Sequence, residues 1–340
     1  MASRSDEIRR FLLQQIDKGD SPSLVRAAGE KFDISRQAVN RHLRQLVEEG
    51  VVEASGNTKN RRYALKNLTA SFLEFKLSGA PQEDRVWREN VRPLLDDIPA
   101  NVIGICQYGF TEILNNAIDH SEGQDIFVWV SRTAASATMI IRDNGVGIFN
   151  KIKRELHLDD ERHAILELSK GKLTTDPARH TGEGVFFVSR AFDKFSIMSD
   201  KLVFGSVETR DYLMDDAETT QGTSVYMGIS VFSARKLKEV FDQYAPEQGD
   251  YGFSKTQVLV SLARYGDENL VSRSQAKRLL TRLDRFKEIV FDFAKVDTIG
   301  QAFADEIFRV FQHDHPDILM SWVNATAEVT QMIMRARLQT

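Results

Sequence analysis

The stretch ATMIIRDNGVGI, residues 137–148, sets the tightest limit on how this chain can fold. Its apolar run predicts a buried strand, and the strand ends in Asp143, Asn144, Gly145, Val146 and Gly147. Glycines two residues apart permit a tight turn and a close backbone approach to a ligand. An Asp at the strand end can accept a hydrogen bond from an exocyclic amine. A strand end and a tight turn must therefore meet beside whatever the chain binds.

The stretch FTEILNNAIDHS, residues 110–121, reads as helix. Residues four apart share a helix face, so Glu112 and Asn116 project together while Ile113, Leu114, Ala117 and Ile118 can pack beneath. A carboxylate can orient or deprotonate a nucleophile, and an amide oxygen can ligate a hard cation such as magnesium. A satisfied polar face is the plainer alternative. Further on, HTGEGVFFVSRAF (180–192) places Gly182 and Gly184 at the opening of a helix whose amides can cradle phosphates. TTQGTSVYM (219–227) offers Gly222 and Thr223 at the start of another strand.

These four pieces, in this order, resemble the GHKL superfamily of ATPases, which includes DNA gyrase, histidine kinases, mismatch-repair ATPases and anti-sigma-factor kinases. The N box corresponds to Glu112, Asn116, Ala117 and His120, and the first Gly box to Asp143, Gly145 and Gly147. The second Gly box corresponds to Gly182 and Gly184, and the adenine-side pair to Gly222 and Thr223. The resemblance implies ATP as ligand, with Mg2+ held by Asn116. It implies that Asp143 bonds the adenine amino group with support from Thr223, that Glu112 is the general base, and that His120 lies near the phosphates. The span from Phe149 to Thr181 would be the ATP lid, offering Lys170, Lys172, Arg179 and His180 to the phosphates. No helix with a phosphoacceptor His precedes the N box, as a histidine kinase would need. His42 lies on a different, N-terminal helix.

The charge is uneven along the chain. Residues 1–66 hold 13 Lys and Arg against 9 Asp and Glu, within a net charge of -4 for the whole chain. This asymmetry points to a polyanion at one end. DEIRRFLLQQIDKG is an amphipathic helix with Ile8, Phe11, Leu12 and Ile16 on one face. SPSLVRAAGEKF predicts a second helix, with Ser21 as cap and Pro22 at its first position. In the third, Ser35 is the expected cap, Gly50 the stop, and Val39, Leu43, Leu46 and Val47 the buried stripe. Its other face holds Arg36, Gln37, Asn40, Arg41 and Arg44. Two short strands follow around SGNTKN, with Arg61 and Arg62 on the return strand.

Residues 6–66 resemble a winged helix-turn-helix domain of bacterial transcription regulators. Gln37, Asn40, Arg41 and Arg44 suit base edges and phosphates, and a wing with Asn57, Lys59, Asn60, Arg61 and Arg62 suits phosphates or a minor groove. The alternative use of such a fold is protein interaction.

After YAPEQGDYG (Tyr244–Gly252), which reads as a linker, apolar strands alternate with amphipathic helices as βαβ units do. The segments 286–311 and 318–336 each give strand, turn and helix, and resemble the STAS-like fold of anti-anti-sigma factors. In the regulated members the turn carries a phosphorylatable Ser. Here the turn is Asp297, Thr298, Ile299 and Gly300, and Ile299 stands at the Ser position. Thr298 is expected to cap the following helix.

The fold expected is therefore multidomain α/β. A winged helix-turn-helix spans 1–66, and a GHKL α/β sandwich with helices on one face of a mixed sheet spans 67–233. A STAS-like domain spans 253–340. The composition, 42% hydrophobic and 28% charged, is globular. There is one cysteine, Cys106, and no apolar run approaches the ~20 residues of a membrane span, which leads to the expectation of a cytoplasmic protein with no membrane partner. The expected function is a bacterial transcriptional regulator in which ATP binding and a STAS-like module control a reader of double-stranded DNA. Slow Mg-dependent hydrolysis to ADP would reset it, a protein would dock on the STAS-like part, and paired half-sites would favour a homodimer. Two rivals are an anti-sigma-type serine/threonine kinase and a DNA-binding ATPase of defence or mobile elements.

Overall fold

Ser3 opens the first helix by a capping box: its hydroxyl accepts from Asp6 N–H, and the Asp6 carboxylate bonds back to Ser3. The computed structural model describes residues 3–19, 23–57, 61–173, 182–208, 210–245, 253–264 and 268–338. Helix α1 (Arg4–Asp17) packs with α2 (Leu24–Phe32) and α3 (Arg36–Glu48). Ser35 caps α3 by accepting from Ala38 N–H, as expected. Ser21 and Pro22 lie outside the described residues. The predicted stripe of α3 is buried at Val39, Leu43 and Leu46, with Val47 at its edge, against Ile8, Leu12 and Leu24. Strands β1 (Val52–Ser55) and β2 (Arg62–Leu65) then pair antiparallel.

The central part begins with β3 (Thr69–Lys76), α4 (Glu83–Val86) and the long α5 (Ala100–His120). It continues through β4 (Asp125–Arg132), β5 (Ser136–Asp143), α6 (Ile148–Leu156), α7 (Glu161–Lys170) and α8 (Gly184–Ala191). The hairpin β6 (Lys194–Val207) and β7 (Arg210–Ser230) completes a five-stranded sheet of order β3-β4-β5-β7-β6. Every pairing in it is antiparallel, which corrects the expected mixed sheet. The register gives the reason: Lys76 at the end of β3 faces Asp125 at the start of β4, so the chain re-enters the sheet at the end it left. Residues alternate across each strand, and Val128, Val130, Met139, Ile141 and Met227 fill one face together with Phe110, Ile113 and Leu114 of α5.

Helix α9 (Leu237–Asp242) leads to β8 (Lys255–Leu259), α10 (Arg273–Leu280) and β9 (Glu288–Asp292). Helix α11 (Gln301–Asp305) runs on through a π-helical stretch, Glu306–Phe311, into α12 (Gln312–Asp314). Strand β10 (Leu319–Val323) and α13 (Ala327–Arg337) close the chain. The three strands pair in parallel in the order β10-β9-β8, as alternating strands and helices require. Thr298 does not cap α11: the cap position is Gly300, Thr298 is exposed, and Ile299 is buried. Residues 246–252 of the expected linker lie outside the described residues, while Tyr244 packs on Phe186 and Phe253. The core of the central sheet runs on into this C-terminal part, whereas the N-terminal helices have their own core. Among the described residues no helix is long and apolar enough to cross a membrane.

Candidate functional site

The four glycine- and acid-bearing segments meet at one cavity of about 300 Å3 beneath α5. Its lining includes Glu112, Asn116 and His120 from α5, Asp143 and Gly147 from the end of β5, Gly182 and Gly184 at the start of α8, and Thr223 from β7. Ile141, Ile197 and Val225 of the sheet, with Ile148, Ile152, Leu168 and Leu173, supply an apolar wall. An apolar wall with a few convergent polar groups suits a small ligand that joins an apolar body to polar or charged groups.

Asp143 ends β5 inside the fold, 4% exposed. Its Oδ1 accepts two backbone N–H groups, from Gly145 at 2.9 Å and Thr223 at 3.2 Å. Neither bond uses Oδ2. Burial raises the Asp143 carboxyl above its ordinary value, and the Gly145 and Thr223 bonds act against that rise. Thr223 in turn accepts from Ile148 N–H at 3.0 Å, which ties β7 to the first turn of α6. Gly222 has φ +75, and a Cβ there would overlap the Asp143 carbonyl oxygen, so this position requires glycine.

Gly145 does not line the cavity. A side chain there would overlap the Ser121 carbonyl, to which Val146 N–H donates at 2.9 Å. Its function in the fold is to lay the turn against the end of α5. Asn144 locks the same turn, accepting from Gln124 and Asp125 N–H and donating to the Asp125 carboxylate. Elsewhere on the cavity wall, Gly184 approaches Glu112 so closely that a Cβ would overlap the carboxylate. Burial raises the neighbouring Glu183 carboxyl, with Lys172 acting in the opposite direction.

Of the cations expected at the phosphates, Arg179 and His180 lie outside the described residues. Lys170 is 1% exposed and points away, bonding Glu167 at 2.6 Å and the Thr281 carbonyl at 2.8 Å. Lys172 donates to the Arg285 carbonyl at 3.2 Å and lies 5.0 Å from the Phe286 ring centroid. Both ammonium groups thus contact the C-terminal part, and Lys172 also acts on Glu183. The described part of the expected lid is α6 and α7, and α7 is buried from Ala164 to Lys170. Sequence reasoning missed Lys151, which lines the cavity one turn after Gly147. The positions 148, 151 and 152 share a helix face, and that spacing was the available signal.

No group of three or more His, Cys, Asp and Glu that could hold a metal occurs among the described residues. Asn116 and Glu112 share the cavity wall, a donor set that suits Mg2+ only when a ligand supplies the remaining oxygens.

On α3, Arg36, Gln37, Arg41 and Arg44 are exposed and Asn40 is half-buried. Arg61 and Arg62 on the hairpin are exposed, and Lys59 lies outside the described residues. Helix α1 docks on the sheet: Asp17 accepts from Ser136 Oγ at 2.7 Å, and Arg10 donates to the Phe232 carbonyl at 3.0 Å.

No curated protein is significantly similar to the chain. Residues 275–330 match a family described as a STAS-like domain of unknown function (DUF4325). The match takes in most of α10 and all of β9, α11, α12 and β10, so the C-terminal part of the chain carries a STAS-like domain.

Proposed function

We propose that the chain is an ATP-binding transcriptional regulator: a GHKL-type nucleotide switch joined to a winged-helix DNA reader and a STAS-like module. The observation that carries this reading is the convergence of Glu112, Asn116, Asp143, Gly182, Gly184 and Thr223, from segments more than a hundred residues apart, on one cavity. Asp143 would hold the adenine edge through Oδ2, oriented by the two N–H bonds on Oδ1. Asn116 would hold Mg2+ together with the phosphates, and the ion would neutralise charge that builds up on them. Glu112 would orient a water molecule and accept its proton. Gly184 leaves the space in which that carboxylate sits.

The exposed cations of α3 and of the β1–β2 hairpin support the DNA-reading part. They present a charged face of the type that meets phosphates and groove edges. Ligand binding can shift DNA affinity only if the ligand binds two states differently. Contact between α7 and the STAS-like module provides a structure through which that difference can be transmitted. The test is calorimetry with ATP and Mg2+, followed by selection of bound duplexes from a random pool and gel shifts with and without ATP. Nucleotide binding together with an enriched sequence is expected. Absence of both overturns the reading, and retention of γ-phosphate label on protein favours the kinase instead.

A further inference from the structure

The cavity wall has an unexpected charge balance. Its described lining holds two carboxylates, Glu112 and Asp143, and Lys151 is the one Lys or Arg among the described lining residues. In the nucleotide reading one Mg2+ offsets only part of a polyphosphate's charge, and the two carboxylates add to what remains, so a further cation on the wall would favour binding. Neither Lys170 nor Lys172 is among the described lining residues, and each donates to a backbone carbonyl of the C-terminal part.

We propose that Lys151 is the phosphate-binding residue of this cavity, the group that distinguishes a nucleotide from its nucleoside. The proposal rests on the nucleotide reading above. Lys151 sits on α6 with its N–H bonded to the Gly147 carbonyl at 2.9 Å, so its position is fixed by the same turn that carries Asp143. Ile148 and Ile152 flank it on the cavity side. Its side chain is 13% exposed, and its Nζ lies 3.2 Å from Glu122 and 3.7 Å from Glu155. Glu122 is also held by Arg154, which bonds both of its carboxylate oxygens. Lys151 can therefore leave Glu122 for a phosphate without leaving that carboxylate unpaired. The exchange replaces one charge-assisted contact by another, so the cost of freeing the ammonium is small.

The experiment is calorimetric titration of the full chain with ATP plus Mg2+ and with adenosine, in wild type, Lys151→Met and Lys151→Arg. Methionine keeps the apolar stem against the wall and removes only the charge. Lys151→Met is expected to lower ATP affinity roughly tenfold, as loss of a hydrogen bond to a charged group does. Adenosine affinity should stay unchanged, which also reports an intact fold, and Lys151→Arg should restore most of the ATP affinity. Equal losses for ATP and adenosine assign Lys151 to structure and overturn the proposal, as does ATP affinity that survives Lys151→Met. If wild type binds neither ligand, the nucleotide reading falls and the proposal with it.

Discussion

Glu112 and Gly184 occupy each other's space: the carboxylate on α5 lies where any side chain at the start of α8 would be. Gly184→Ala must therefore push Glu112 off its position or tilt α8. Glu112→Ala should leave ATP binding in place and abolish hydrolysis, because a general base contributes typically ~10² to 10⁴-fold to chemistry and nothing to the ground state. Gly184→Ala should reduce both turnover and affinity, since a Cβ there also takes space where the proposed reading puts the phosphates. Single-turnover hydrolysis beside equilibrium binding separates the two variants. Equal hydrolysis rates in Glu112→Ala and wild type would remove Glu112 from the chemistry.

Asp143→Asn tests the proposed adenine contact. The Asn amide oxygen can still accept from Gly145 and Thr223, but its NH2 group would then face the adenine amine, donor against donor. ATP affinity should drop by about 1.5–3 kcal/mol, the usual worth of a hydrogen bond to a charged group. The same change should not destabilise the free protein at neutral pH. Burial raises the wild-type carboxyl, so its favourable contribution is present at low pH and is lost as pH rises through the folded value. The stability of Asp143→Asn relative to wild type should accordingly increase with pH across the acid range, measured by thermal melts.

His163 makes a second pH prediction with the reverse sense. Both ring nitrogens are buried without a hydrogen bond, and the ring lies among Glu167, Lys170, Arg278 and Asp160. Burial lowers its value below the ordinary 6.5, despite the opposing pull of Glu167. The unfolded chain then takes up the proton first as pH falls, so stability is full above 6.5 and declines below it. The slope from this one group cannot exceed about 1.4 kcal/mol per pH unit. Denaturant midpoints between about pH 5 and 7 should show that slope in wild type and a flatter one in His163→Gln. An unchanged slope would mean that His163 does not bind that proton.

The sequence made the cavity's polar ends legible because each motif has its own local requirement. Gly222 must take a positive φ and Gly184 must make room, and such demands are written as glycine. The C-terminal module was legible through the same kind of local pattern, apolar strands spaced by amphipathic helices. What was not legible was long-range partnership. Lys170 and Lys172 read as lid cations because nothing local says that Thr281 and Arg285, more than a hundred residues on, offer them carbonyls. The antiparallel sheet was hidden for the same reason, since strand direction depends on where the chain re-enters the sheet. Thr298 shows the converse: a good capping residue goes unused because Gly300 holds the cap position of α11.

The proposed DNA-reading face gives the last test. Arg61 and Arg62 are exposed on the hairpin, so their contribution to binding would come from phosphates. Each neutralised phosphate adds about -0.9 to the slope of log affinity against log salt. Arg61→Ala with Arg62→Ala should therefore weaken binding on every duplex and flatten that slope. Asn40 and Arg41 lie on the first two turns of α3, where side chains of a recognition helix reach base edges. Asn40→Ala or Arg41→Ala should instead cost roughly 1–3 kcal/mol on the selected sequence and little on random DNA. Paired half-sites about one helical turn apart would mark a dimer. Filter binding across a salt series, on selected and random duplexes, distinguishes the two classes. If both sets of variants lose affinity equally on all sequences, α3 contacts only the backbone. If none loses affinity, the N-terminal helices dock a protein and not DNA.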